Sequence, residues 1–217
     1  MAKTDGRQAE RNARAGECCV VGGLPDFPGI LAAMKLSSDL EGALRALADT
    51  LLVKAHTGAT VSRADREILA TAVSAGNNCF FCMDTHGAFA AALLKAEGVS
   101  AADADQMVDG LKAGTRTGIA EKLQRLIDIS LIVREDGRRL GPGDVDRALA
   151  AGATNEDVQL AVLIASAFSM YNRMVDGFRA RTPADPAAHR ARAEQIAQFG
   201  YVDTRVTAVP ATAPMQA

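Results

Sequence analysis

Cys79-Phe-Phe-Cys82-Met-Asp-Thr-His86 holds the most reactive spacing in the chain. On a helix, at about 100° per residue, Cys79 and His86 fall nearly in line and Cys82 sits about 60° aside, so all three share one face. An i, i+3 pair has its Cα atoms about 5–6 Å apart, inside the disulfide range. The spacing predicts a closable dithiol beside an imidazole that can take or give its proton, which is redox or nucleophilic chemistry. Asn77 or Asn78 is positioned to cap this helix, which would put Cys79 in the first turn, where unpaired N–H groups and the helix dipole favour a thiolate. His86 lies one turn after Cys82, within natural side-chain reach, and a carboxylate could orient it. Glu67, on the preceding helix, is the candidate carboxylate. Asp84 is its rival but points off the Cys79–His86 line.

The same residues admit blander readings. A Cys-x-x-Cys can be two small buried apolar side chains. Cys-x-x-Cys-x-x-x-His supplies zinc-ligand types, but zinc usually takes a fourth ligand and two ligand pairs, and Cys18 and Cys19, being adjacent, are poor partners for one tetrahedral ion. A glutamate such as Glu67 is most often a solvated surface group. Cys18 and Cys19 read as buried. His56, by the Thr57-Gly58 loop, and His189, in a polar late segment, read as surface residues.

These groups need a scaffold, and the composition suggests which. The chain has 217 residues, 48% apolar and 23% charged, with net charge −2, no Trp and 4% aromatics. That is an ordinary globular composition without the basic excess of a nucleic-acid binder. No apolar run reaches transmembrane length and the first residues lack the apolar core of a signal peptide. The expectation is a cytoplasmic protein with no membrane or nucleic-acid partner, in which a Cys-x-x-Cys is catalytic or metal-binding rather than a structural staple.

Cap and stop signals divide the chain into about eight helices, and beyond a short apolar stretch at Cys19–Val21 no strand pattern stands out. The fold class is all-α: a helical bundle, not a thioredoxin-type βαβ unit. One helix opens near Pro28 and runs to about Leu36. Ser38 caps a second, Asp39 to about Val53. Ser62-Arg-Ala-Asp65 opens a third, to Ala75, and the dithiol helix runs from the Asn77-Asn78 cap to Glu97. Ser100, Ile119 and Pro142 start three more. Thr154-Asn-Glu-Asp157 opens a long apolar helix reaching about Arg181, with Leu160, Leu163, Ile164, Ala167 and Phe168 as core. A polar helix covers about 185–198. The organisation is an N-terminal extension (1–24), a helical domain (25–182), and a C-terminal helix with a loose tail (183–217).

Glu67, followed twelve residues later by Cys79-x-x-Cys82-x-x-x-His86, resembles the core motif of the alkylhydroperoxidase D (AhpD)-like and carboxymuconolactone decarboxylase superfamily, and the flanking Asp65-Arg-Glu-Ile-Leu-Ala and Asn78-Cys-Phe-Phe-Cys resemble its peroxidase-related members. The motif covers about residues 62–95. The resemblance implies an all-helical fold, assembly into trimers or hexamers, and thiol-dependent reduction of a hydroperoxide substrate, with the electrons coming from a thiol reductant such as a lipoyl protein, thioredoxin or a small thiol. It implies that Cys82 is the attacking thiol that becomes sulfenic acid, that Cys79 gives a proton and then resolves it as a disulfide, and that His86 and Glu67 form the proton relay, with no cofactor and no metal. One departure stands out: AhpD proper often carries a second histidine between the cysteines, and here that position is Phe81. The decarboxylase branch generally lacks the dithiol. An acid–base enzyme using Glu67 and His86, and a zinc-stabilised non-enzymatic interaction protein, are the competing readings. Oligomerisation is also expected from the helix over 155–181, whose apolar residues cover more than the one stripe a single core can bury.

Overall fold

Capping side chains set where the helices begin. In the computed structural model, which describes residues 20–183 and 185–203, Ser37 Oγ accepts from the Leu40 amide at 3.1 Å and starts a helix over Ser38–Leu52 (α2), one residue earlier than Ser38 as cap would give. It follows a short helix, Ile30–Met34 (α1). Ser62 and Asp65 form a reciprocal capping box, Asp65 N to Ser62 Oγ at 3.2 Å and Ser62 N to Asp65 Oδ2 at 2.9 Å, which opens Arg63–Gly76 (α3). Then come Phe80–Ala96 (α4), Ala101–Lys112 (α5, capped by Ser100), Glu121–Asp136 (α6), and Pro142–Ala150 (α7, with proline in the first turn). Thr154 and Asp157 repeat the box at the head of Asn155–Gly177 (α8). A 3₁₀ turn, Pro186–His189, leads into Arg190–Phe199 (α9). Among the described residues there is no strand. Cys18 and Cys19, the frayed start expected over residues 1–16, and the tail beyond Asp203 lie outside the described residues.

α3 and α4 are the most closely packed pair. α6 and α8 cover α3, while α5 and α9 cover α4. Ile68, Leu69, Phe89, Leu126, Ile127, Ile129, Ile164 and Phe168 are buried to 1% exposure or less. Asp157 ties the start of α8 to the strap before α3, accepting from Thr60 N (2.7 Å), Thr60 Oγ1 (2.6 Å) and Val61 N (3.0 Å). Against the pull of burial, these bonds hold its carboxyl below the ordinary range.

Two expectations about α8 are corrected. It stops at Gly177, not near Arg181, because Arg179 turns left-handed (φ 48°) and the amides of Arg179 and Ala180 bond back to Asp176 O and Val175 O, closing the helix end as a Schellman turn. Leu163 is 52% exposed and not core: the buried stripe runs through Leu160, Ile164, Phe168, Tyr171 and Val175, and residue 163 falls on the opposite side with Ser166 and Met170. α8 is long and apolar enough to cross a membrane, but most of it is buried inside the fold.

Candidate active site

Glu67 stands on the second turn of α3, and its carboxylate is almost wholly buried. α4 follows after three linking residues. Asn77 ends α3 and Asn78 adopts a left-handed backbone (φ 56°), a conformation asparagine tolerates better than most residues. Cys79 is therefore the N-cap residue of α4, not a member of its first turn, and Cys82 is the third helical residue. The junction is pinned from outside. Asn77 Nδ2 donates to Asn172 Oδ1 at 2.9 Å, Asn172 Nδ2 donates to Ser74 Oγ at 3.1 Å, and Arg134 donates to Gly76 O at 3.0 Å.

His86 Nδ1 donates to Glu67 Oε2 at 2.7 Å. With the proton on Nδ1, the lone pair of the neutral ring sits on Nε2, on the side free of the carboxylate. Both cysteines are free thiols and buried, at 0% and 2% exposure. A hydrogen bond to Cys82, reinforced by burial, pushes the Cys79 thiol well above its ordinary range, so Cys79 keeps its proton. Cys82 and His86 line one cavity of about 40 Å³, with walls from Ile30, Met34, Phe89 and Phe168. By the measure in which one water takes roughly 10–15 Å³, it holds a small molecule only. A larger and more open groove on the far side of α4, between Asp84 and Lys112, carries neither cysteine nor histidine.

Tyr201 was not foreseen as part of this site. Its hydroxyl donates to Glu67 Oε1 at 2.6 Å and lies 3.3 Å from His86 Nδ1, so Glu67 is held from both oxygens. Burial, and then the Glu67 charge, raise the phenol well above its ordinary value, which keeps it a donor. Gly200 brings it in. Its backbone is left-handed (φ 77°), and a Cβ there would lie 2.8 Å from Asp49 Oδ1, the atom that accepts the Tyr201 amide at 3.0 Å. The sequence signal was an aromatic pair, Phe199-Gly200-Tyr201, in a segment otherwise polar enough to pass for a tail. The His86 ring is further boxed edge-on by Phe168 (4.5 Å between centroids) and Phe89 (5.4 Å).

Other candidates go elsewhere. Asp84, the rival carboxylate, is buried and pairs with Lys112 on α5 at 3.5 Å. His56 hydrogen-bonds Thr50 O at 2.7 Å, away from the cysteines. The expectation of a surface His189 is reversed: it is fully buried, edge-on to Phe81 at 5.4 Å, because the 3₁₀ turn folds the polar-looking segment onto α4. Arg192, one turn on, also lines the cavity, and burial followed by the neighbouring Arg45 charge lowers it to about 10. Among the described residues no three His, Cys, Asp or Glu side chains converge to hold a metal.

Two solved structures share this architecture. One is an uncharacterized peroxidase-related protein from Ralstonia eutropha JMP134, described as an alkylhydroperoxidase AhpD core, with TM-score 0.63 and 22% identity over 75% of this chain and 81% of that one. The other is an uncharacterized peroxidase-related protein from Silicibacter sp. TM1040, with TM-score 0.61 and 19% identity over 78% and 92%. The fold is AhpD-like. No protein-family model matches the chain, and no curated protein does. Within the AhpD-like bundle, the position between the cysteines is filled by Phe81, whose ring packs where a Cβ on Gly29 would otherwise sit, so the phenyl group seals the dithiol against the chain entering α1.

Proposed function

We propose that the protein is a thiol-dependent peroxidase that reduces hydroperoxides through Cys82 and Cys79. The observation that carries this reading is the linked set at one small cavity: Cys82 and His86 on its wall, and His86 fixed through Nδ1 to a carboxylate that Tyr201 holds from its other oxygen. His86 Nε2 takes the Cys82 proton, and the imidazolium is stabilised by Glu67. The Cys82 thiolate attacks the peroxide. A sulfur–oxygen bond forms as the O–O bond breaks, the sulfur is oxidised to sulfenic acid, and the leaving oxygen recovers the proton from His86 as water or alcohol. The Cys79 thiol, protonated and hydrogen-bonded to Cys82, then displaces water from the sulfenic acid and closes the disulfide. A thiol reductant returns two electrons and two protons. The burial of both sulfurs favours a slender one, a small thiol or a lipoyl arm, over the broad face of a thioredoxin. A cytoplasmic setting suits the cycle, since it keeps the dithiol reduced between turnovers.

The outer face of α8 supports assembly of copies into a trimer or hexamer. Leu163 is half exposed, and Met170, Met174 and Phe178 line an open apolar groove with Val21. Light scattering on the purified protein measures this directly, with a particle several times 22.7 kDa expected.

The deciding experiment is peroxide consumption with dithiothreitol, dihydrolipoamide and reduced thioredoxin supplied in turn, followed by mass spectrometry of the oxidised protein. Turnover together with a Cys79–Cys82 link within one peptide is expected. Free thiols at both positions after stoichiometric peroxide would overturn the reading.

A further inference from the structure

His189 is the one fully buried imidazole that the cycle above leaves idle. Its Nδ1 lies 3.0 Å from Thr85 Oγ1, and its Nε2 is buried with no hydrogen-bond partner among the described residues. Burial lowers the ring to about 4, so it is neutral near pH 7 and carries one proton. If that proton were on Nε2, it would be a buried N–H without an acceptor, which is rarer in proteins than an unused lone pair and costs about 1–3 kcal/mol. With an oxygen ligand in the cavity beside Thr85, the Nδ1–H tautomer pairs every donor, Nδ1–H to Thr85 Oγ1 and the Thr85 hydroxyl to the ligand, whereas the Nε2–H tautomer leaves its N–H unpaired; the occupied site therefore places the proton on Nδ1.

This has a consequence for the threonine. A helical threonine commonly gives its hydroxyl to the carbonyl four residues back, as Thr71 does to Glu67 O at 2.8 Å. Thr85 makes no such bond to Phe81 O; its polar contact is His189. Having accepted from Nδ1–H, its own O–H is left to donate. Thr85 is 5% exposed, stands one turn after Cys82 on α4, and lines the cavity that Cys82 and His86 line. The other donors on that wall are held elsewhere: Tyr171 donates to Leu44 O at 2.8 Å, Tyr201 to Glu67, His86 Nδ1 to Glu67, and Arg45 to Glu41 and Tyr201 O, and Arg192 is not free either.

We infer that Thr85 is the hydrogen-bond donor to the leaving oxygen of the peroxide, and that His189 is a positioning residue that fixes the direction of that hydroxyl. The assignment rests on the peroxidase reading above. When the Cys82 thiolate attacks, negative charge gathers on the oxygen that departs with the broken O–O bond. An oriented hydroxyl in a dry cavity lowers that charge's energy until the proton from His86 arrives, and the donor matters most when the leaving oxygen is most basic.

The test compares a poor and a good leaving group. With hydrogen peroxide the departing oxygen is hydroxide, and with peroxyacetic acid it is the weakly basic acetate. Thr85→Val, which keeps shape and removes the hydroxyl, should lower kcat/KM for hydrogen peroxide about 100-fold and raise the ratio of peroxyacetic acid to hydrogen peroxide rates about 30-fold. Iodoacetamide alkylation of Cys82 at pH 7 should keep its rate, since the proton relay is untouched. Thr85→Ser, which returns the hydroxyl, should recover most of the loss, and His189→Leu should shift the same ratio in the same direction as Thr85→Val. A ratio unchanged in both Thr85→Val and His189→Leu overturns the assignment while leaving the peroxidase standing. A wild-type protein that consumes neither peroxide overturns both. Should Thr85→Val not fold, the unchanged ratio in His189→Leu alone, or full loss in Thr85→Ser, overturns it equally.

Discussion

The two halves of the candidate site are built in opposite ways. Cys79, Cys82, His86 and Glu67 come from one contiguous helix pair, α3 and α4, and their mutual placement follows from helical repeat and one short turn. His189, Arg192 and Tyr201 come from residues 186–201, more than a hundred positions later, and enter by docking: a 3₁₀ turn, a helix laid against α4, and a left-handed glycine. In the function proposed above, the near half carries the nucleophile and the base. The far half supplies what surrounds them, a second hydrogen bond to Glu67, the Tyr201 ring stacked beside His86, and a buried cation on the cavity wall. Reactivity needs short fixed distances, which one helix provides. Enclosure needs material from a different direction, which only the tertiary fold provides.

Changes in the near half should be the most damaging. Cys82→Ser should abolish peroxide consumption, and Cys79→Ser should leave one stoichiometric event in which dimedone traps sulfenic acid at Cys82. If Cys79→Ser alone stops the first step, the two roles are exchanged. His86→Ala should slow that step about 100-fold at pH 7, and Glu67→Gln about tenfold, because Glu67 acts through the ring it holds. Stopped-flow consumption of peroxide by the reduced protein measures both, and equal rates in both variants and wild type would remove the relay.

The far half should show smaller effects. Tyr201→Phe deletes one hydrogen bond to a buried carboxylate. A loss of about 1–3 kcal/mol of stability and a several-fold lower rate are expected, read by urea unfolding and by the same stopped-flow assay. Gly200→Ala should reproduce the rate effect without touching the phenol, because it forces a left-handed alanine against Asp49. If it equals wild type, Tyr201 reaches Glu67 without help from that turn.

The smallest effect at neutral pH is a pH dependence. His189 is held near 4 in the folded protein against an ordinary value of 6.5, so the unfolded chain binds the proton first as pH falls. The neutral ring's contribution is complete above about pH 6.5 and is lost as pH drops through about 4, by up to about 3 kcal/mol. Urea titrations at pH 7.5 and pH 5 should show wild type losing more stability than His189→Gln over that interval. Parallel losses would place the ring in water at least part of the time.

The sequence alone was enough for the all-α class, for the capping boxes at Ser62 and Thr154, and for placing Cys82 and His86 one turn apart on one helix, because helical repeat and caps depend on side chains within a turn or two of one another. It offered Glu67 as the carboxylate from its place on the preceding helix, with Asp84 as a rival pointing off the Cys79–His86 line, and the family resemblance pointed to Glu67 as well. Packing of α3 and α5 on α4 separates the two carboxylates, Glu67 meeting His86 and Asp84 meeting Lys112. It missed the exact cap of α4, since the left-handed turn at Asn78 shifts the helix start to Cys79. It misjudged Leu163, His189 and Tyr201 for a common reason. Polarity and period say which face of a segment prefers water, but whether a segment docks is decided by what surface awaits it. The segment over residues 186–201 looks solvated until α4 presents Thr85 and Phe81 and α3 with α4 present the Glu67–His86 pair, and burial of His189 and Tyr201 becomes favourable only because those partners satisfy a hydrogen bond on each ring.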